Sequence, residues 1–180
     1  MSTPPLPRGS APSRPRRSTA AVTIVEVAID AVLPVRLRVL RAGTPSDDPR
    51  FEGDDDPTTL HLAALLDGEV VAVSTWLRRP WPFAPDRPAV QLRGMATDAP
   101  ARGTGVGGLL LEAGVERAFA SGAELVWANA RDTALRFYRT HGFAVEGEGF
   151  LTLDTKLPHH RVIRRGDRAG ARGPAFAARP

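Results

Sequence analysis

QLRGMATDAPARGTGVGGLLLEAGVERA, residues Gln91 to Ala118, is the stretch on which the reading of this chain turns. It begins as a strand, Val90–Leu92 and then Met95–Thr97, and passes through a polar turn, Asp98-Ala99-Pro100-Ala101. Arg102-Gly103-Thr104-Gly105-Val106-Gly107-Gly108 follows, and an apolar-periodic helix runs from Leu109 to Gly122. Four glycines between Gly103 and Gly108 strip side chains from a strand-to-helix corner. A ligand can approach such a backbone closely. The first N–H groups of a helix lack intrahelical partners and carry the positive end of its dipole. That combination suits a phosphate or pyrophosphate.

Three ligand readings of the glycines compete, beside a fourth in which the turn holds nothing. Gly103, Gly105 and Gly108 satisfy G-x-G-x-x-G, but the dinucleotide fingerprint needs an acidic residue roughly twenty residues on, closing the next strand. Here that strand, Leu125–Ala128, ends in Asn129, and the nearest acid, Glu124, precedes it. A nucleoside-triphosphate loop fails because no Gly-Lys-Ser/Thr follows. The third pattern, [Q/R]-x-x-G-x-[G/A], is met by Arg102, Gly105 and Gly107. Downstream stands NARDTALRFYRTHGF, Asn129 to Phe143, which contains A-x-x-F-Y-x-x-x-G-F. Its spacing puts Ala134, Phe137 and Tyr138 on one helix face. Gly142 stops that helix after His141 in the left-handed conformation, and Phe143 opens the next strand.

With both motifs in this order, the chain resembles the GNAT superfamily, the acyl-coenzyme-A-dependent N-acyltransferases, over residues 21 to 165. The resemblance implies an α/β (α+β) fold: a mixed, mostly antiparallel central sheet, helices on both faces, and two central parallel strands that splay apart to admit the cofactor. The flanking sequence agrees. Thr23–Ala28 alternates as a strand, and Asp30 is placed to cap a helix through Arg41, with Pro34 near its start. Gly43–Asp56 is an acidic loop. Leu60–Leu66 and Glu69–Leu77 form a hairpin around Asp67-Gly68. Arg78–Pro88 is a Pro-rich loop with Trp81 and Phe83. Phe143–Glu146, Phe150–Thr155 and His160–Ile163 complete the strands.

A chain of 180 residues with 42% hydrophobic content is one domain long and can bury a substantial core. It has no Cys, hence no disulfide framework and no thiolate zinc site. The pI of about 10.8 suggests nucleic-acid binding until the charges are located. Residues 1–20 hold four Arg and no acid, and residues 161–180 hold six Arg and one Asp, leaving 14 Lys+Arg against 19 Asp+Glu between them. The body is acidic and the Pro/Arg-rich ends, 1–20 and 166–180, read as solvated, disordered tails. No window is long and apolar enough for a membrane span, and no secretory or organellar leader pattern is evident. The expectation is a cytoplasmic protein, monomer or homodimer, that binds neither membrane nor nucleic acid.

The resemblance also assigns roles. Acetyl-CoA or another acyl-CoA would be the donor. Its pyrophosphate would rest on backbone N–H groups of Arg102, Gly103, Thr104, Gly105, Val106, Gly107 and Gly108, and its pantetheine arm would run along Met95, Ala96 and Thr97. The Met95 N–H would meet the thioester oxygen. Tyr138 matches the family's general acid, which protonates the departing thiolate; a packing tyrosine is the alternative. Family members commonly carry Asn or Gln seven residues before that tyrosine; here the position is Arg131, so Asn129 or Arg131 takes over the cofactor contact. Glu52, Asp54, Glu148 and the His159-His160 pair are candidate general bases. Gly53-Asp54-Asp55 and Pro158-His159 match a "GDD" run and a "PH" dipeptide of a bacterial subgroup. Six acids in the loop at 43–56 could instead be a collector for a cationic amine, or a solvated turn. His61 packs or caps a sheet edge, and no metal site has support. Acceptor specificity, for a small molecule or peptide amine, falls to the loops Gly43–Asp56, Arg78–Pro88 and Glu146–Phe150. The main rival to an N-acetyltransferase is an acyl-CoA-binding sensor or scaffold without transfer.

Overall fold

The structure, a computed structural model, describes residues 21–166; the two basic tails otherwise lie outside the described residues. Strands β1 (Val22–Glu26), β2 (Leu60–Leu66), β3 (Glu69–Arg78), β4 (Ala89–Thr97), β5 (Leu125–Arg131), β6 (Ala144–Leu151) and β7 (Pro158–Arg165) form one sheet in the order β1-β2-β3-β4-β5-β7-β6. Every neighbouring pair is antiparallel except β4 and β5. Helix α1 (Ile29–Leu40) covers one face, while α2 (Val106–Ala120) and the short α3 (Leu135–Thr140) pack on the other. The mixed, mostly antiparallel sheet with helices on both faces is as expected.

Alternation along the strands divides the core. Leu62, Ala72, Trp76 and Leu92 face α2, where Leu110 and Leu111 are fully buried. Complete burial of such side chains stabilises the fold by roughly 1.5–3 kcal/mol each. Trp76 lies so close to α2 that a Cβ on Gly114 would come within 1.9 Å of its ring, so only glycine fits. Ala63, Val73 and Ala96 point the other way, against Val32 and Val35 of α1. On that same side of the β5–β7 half no helix packs among the described residues. Trp81 of the Pro-rich loop fills the space instead, edge-on to Trp127, whose indole N–H donates to the Arg79 carbonyl at 3.1 Å. The loop Arg78–Pro88 thus covers part of the core and does not line the two cavities described below.

Several boundaries differ from those read off the sequence. Asp30 is not a cap: α1 starts at Ile29 after Ala28, with no side-chain cap, and Asp30 sits inside the first turn, where its charge still favours the dipole. Helix α2 starts at Val106 rather than Leu109, because Gly105 turns the chain with φ 90° and the two following glycines are already helical. The last strand pair is longer than expected, β6 being continuous through a register irregularity between Glu146 and Phe150, and Asp154–Thr155 lie in a turn. The hairpin is as expected, with Asp67 at φ 52° and Gly68 at φ 85°, both left-handed as a type I′ turn requires.

Candidate active site

β4 and β5 pair only from Ala89–Leu125 to Leu92–Ala128. Beyond Leu92 the two parallel strands part. At the same point β4 carries an extra residue relative to β3: Arg93 pairs with Thr75, but the next pair is Ala96 with Val73. Gly94 and Met95 fall outside the register on both sides. Gly94 is left-handed at φ 56°, and a Cβ there would strike Nε of Arg36 at 2.5 Å, so the bulge needs glycine on both counts. From Met95 to Thr97 the side of β4 that faces β5 has no ladder partner.

The chain then turns through Ala99–Ala101 into the glycine corner. Gly103 and Gly105 adopt φ 77° and 90°, and added Cβ atoms there would meet open space. Gly107 and Gly108 are different: their Cβ atoms would lie 3.2 Å from Thr97 Oγ1 and 2.6 Å from His141 Nε2. The first two glycines serve backbone conformation, the second two close packing. Among the described residues no acceptor takes the N–H of Val106, Gly107 or Gly108, the first three of α2. Gly107 and Gly108 border a cavity of about 710 Å³ between β4 and α3, lined also by Thr97, Arg102, Phe137 and His141 among others. The Arg102 guanidinium folds back to donate to the Thr97 carbonyl at 3.0 Å.

A second cavity, of about 200 Å³, lies on the far side of the splay. Its wall includes Phe51, Gln91, Arg93, Asn129, Asp154 and His159. Met95, Arg131, Ala134 and Tyr138 line both cavities. Tyr138 is 6% exposed, and its hydroxyl is not among the sealed, partnerless atoms of the core. Edge-on contacts with Phe137 and Phe143 fix its ring. Burial pushes the phenol's pKa well above its ordinary value near 10, so it keeps its proton at any working pH.

The candidate bases separate cleanly. Asp54 is buried and receives Arg36 in a two-pronged pair at 2.7 and 3.0 Å, together with the Phe51 N–H at 2.7 Å. Burial alone would raise its pKa, but those bonds and the Arg36 charge outweigh it and hold the carboxyl below its usual range. It is a structural anchor rather than a base, and Arg36, itself fully buried, extends the anchor to the Pro49 carbonyl and the Thr75 hydroxyl. His61 completes this network, its ring nitrogens bonded to Thr75 Oγ1 and the Asp54 carbonyl. Glu52 is exposed and pairs with Arg79 at 3.3 Å; Glu148 is exposed. No carboxylate of the acidic loop lines either cavity. His160 pairs with Asp132 at 2.7 Å, outside both cavities. His159 alone is placed in one. Its Nδ1 lies 2.9 Å from the Leu157 carbonyl, which can only accept, so Nδ1 carries the hydrogen and Nε2 presents a lone pair.

Asn129 and Arg131 also part company. Asn129 lines only the smaller cavity. Arg131 donates to the Leu40 carbonyl at 2.6 Å, and its side chain reaches both spaces. Phe51, Gln91 and Arg93 were not singled out from the sequence. Their signal was present: Gln91 and Arg93 are polar residues at alternate positions of an otherwise buried central strand. Among the described residues no cluster of three or more His, Asp or Glu is placed to hold a metal ion, and no helix is long and apolar enough to cross a membrane.

Residues 34–143 match the model of the acetyltransferase (GNAT) family. The chain belongs to that family, and acyl transfer is accordingly its class of activity. Among solved structures it is similar to ElaA of Escherichia coli, with 19% identity and a TM-score of 0.65 over 82% of this chain and all of that one. An acyl-CoA N-acyltransferase from Pseudomonas aeruginosa shows 23% identity and a TM-score of 0.59 over 81% of this chain and 99% of that one. An N-acetyltransferase from Staphylococcus aureus Mu50 shows 17% identity and a TM-score of 0.64 over 81% and 99%. At these identities the likeness is one of fold. No curated protein matches the chain.

Proposed function

We propose that the protein is an N-acyltransferase that moves an acetyl or other acyl group from acyl-CoA to a primary amine by direct attack. The observation that carries this reading is the meeting of two cavities at Tyr138 and Met95, one opening from the glycine corner and the other containing His159. Donor and acceptor can then enter from opposite sides of the splay.

The larger cavity fits acyl-CoA on three grounds: free N–H groups at the start of α2, open space where Gly103 and Gly105 lack side chains, and an unpaired strand edge at Met95–Thr97. The corner N–H groups hold the pyrophosphate and the strand edge pairs with the pantetheine amides. The Met95 N–H donates to the thioester oxygen as negative charge develops there. His159 Nε2 accepts a proton from the acceptor's ammonium, directly or through one water, and so frees the nitrogen lone pair. That nitrogen bonds to the carbonyl carbon as the carbon–sulfur bond breaks. Tyr138 donates its proton to the departing thiolate; the acylated nitrogen then loses its second proton to water, and Tyr138 is reprotonated from solvent while His159 releases its own proton there.

Gly107 provides the test of the donor side. It is helical, so a larger residue there strains no backbone, yet the added side chain enters the space between Thr97, Phe137 and Met95. Gly107→Leu is expected to reduce acetyl-CoA affinity roughly 100-fold by titration calorimetry, while far-UV circular dichroism shows the fold retained despite some loss of melting temperature from the tight contact with Thr97. Undiminished affinity would move the cofactor out of this groove.

A further inference from the structure

The proposed amine acceptor is not otherwise specified, but the smaller cavity has a pronounced charge. Arg36, Arg41 and Arg93 all stack on Phe51, their guanidinium carbons 4.6, 5.1 and 4.8 Å from the ring centre. Arg36 is neutralised by Asp54, and Arg41 is paired with Asp154 at 2.9 Å. Arg93 and Arg131 are held only by backbone carbonyls, of Glu52 at 3.0 Å and Leu40 at 2.6 Å. Among the described residues neither forms an ion pair with a carboxylate. Each guanidinium has five N–H donors, so one carbonyl leaves most of them unused.

Desolvation lowers the pKa of both groups, which remain charged, and neighbouring arginines add to the effect: Arg79 and Arg36 around Arg93, Arg41 around Arg131. Glu52, Asp54 and Asp154 soften this from the other side. Two partly desolvated cations with spare donors therefore face one small cavity. The partner of Arg93 is not the pyrophosphate, because Arg93 lines only the cavity away from the glycine corner, while Arg131 borders both spaces. The same wall carries Gln91, 3% exposed, whose Oε1 is buried without a partner.

We propose that the acceptor is a small amine bearing a carboxylate, an amino acid or short peptide, whose carboxylate is bound by Arg93 and Arg131 in the cavity beside Phe51. Planar guanidinium forks match the two oxygens of a carboxylate. The acyl-acceptor nitrogen is then left toward His159 and Tyr138. This inference rests on the transferase reading, so its test reads binding as well as turnover.

The probes are N-acetylglycine, N-acetylleucine and N-acetylphenylalanine against their primary amides, titrated into the full-length protein with CoA present and followed by NMR. At least one acid is expected to bind tenfold or more tightly than its amide. Arg93→Gln should abolish that preference and Arg93→Lys restore part of it; Arg131→Gln provides a second variant should the first not fold. Equal binding of acids and amides, binding of neither at millimolar concentration, or a preference that survives both glutamine variants would overturn the carboxylate site. The parallel assay follows CoA thiol release with the free amino acids and their decarboxylated amines. Acids that bind in preference but never support thiol release would leave the site standing and overturn the transferase reading instead.

Discussion

Tyr138 and His159 carry the proposed proton transfers, the first kept protonated by burial and the second oriented by a backbone carbonyl. The phenol is raised above its ordinary value by burial, so a proton is always present on it, and no alkaline limb from its ionisation is expected below about pH 10. A limb in that range would belong to another group. His159 is oriented by one carbonyl, which leaves Nε2 free to take a proton. His159→Gln is expected to lower turnover by roughly 10²–10⁴-fold at neutral pH. The deficit should shrink as pH approaches the acceptor's own pKa, since a neutral amine needs no base; an unchanged rate at neutral pH would exclude the residue. Asp54 shows the opposite outcome. From the sequence it was one acid among several, and nothing in its neighbours revealed that Arg36, in another element, would claim it.

At the scale of elements, the Arg36–Asp54 pair fastens α1 to the acidic loop and, through Thr75 and His61, to β2 and β3. Asp54→Ala strands a buried guanidinium and should cost about 3–5 kcal/mol in denaturant unfolding. A cost under 1 kcal/mol would show that water reaches Arg36. Because the folded carboxyl sits below its usual range, the pair's contribution is complete above the unfolded value of about 3.9. It fades as pH falls through the lower folded value. Local chemistry made most elements legible: the type I′ turn at Asp67-Gly68, the glycine corner, and the Gly142 stop of α3 all follow from residues adjacent in the chain. What stayed hidden depends on partners distant in sequence. The need for glycine at position 94 comes from Arg36 and Phe51, which occupy the space a side chain would take, and Trp81 covers a sheet face that no described helix reaches. The second cavity was missed for the same reason, since α1, the acidic loop, β4 and the β6–β7 turn all contribute to it.

Across the whole molecule, the basic composition and the folded body separate. The ends of the chain carry the excess arginine but few large apolar side chains, Met1, Leu6 and Phe176, and they are proposed to add nothing to folding. Removal should begin beyond Gly166, whose N–H donates to the Glu124 carbonyl at 2.9 Å. Deleting residues 1–20 and 167–180 is expected to leave the melting temperature and acetyl-CoA affinity unchanged; a fall of several degrees would show that an end packs on the body. Proton delivery is proposed to occur at Tyr138, where the two cavities join. The most direct measurement compares Tyr138→Phe with the parent protein, following acceptor-dependent CoA thiol release at saturating substrates and acetyl-CoA affinity by calorimetry. The phenylalanine keeps the ring contacts and removes only the proton. Turnover is predicted to fall roughly 10²–10⁴-fold with affinity retained; equal turnover in the two proteins would contradict the account.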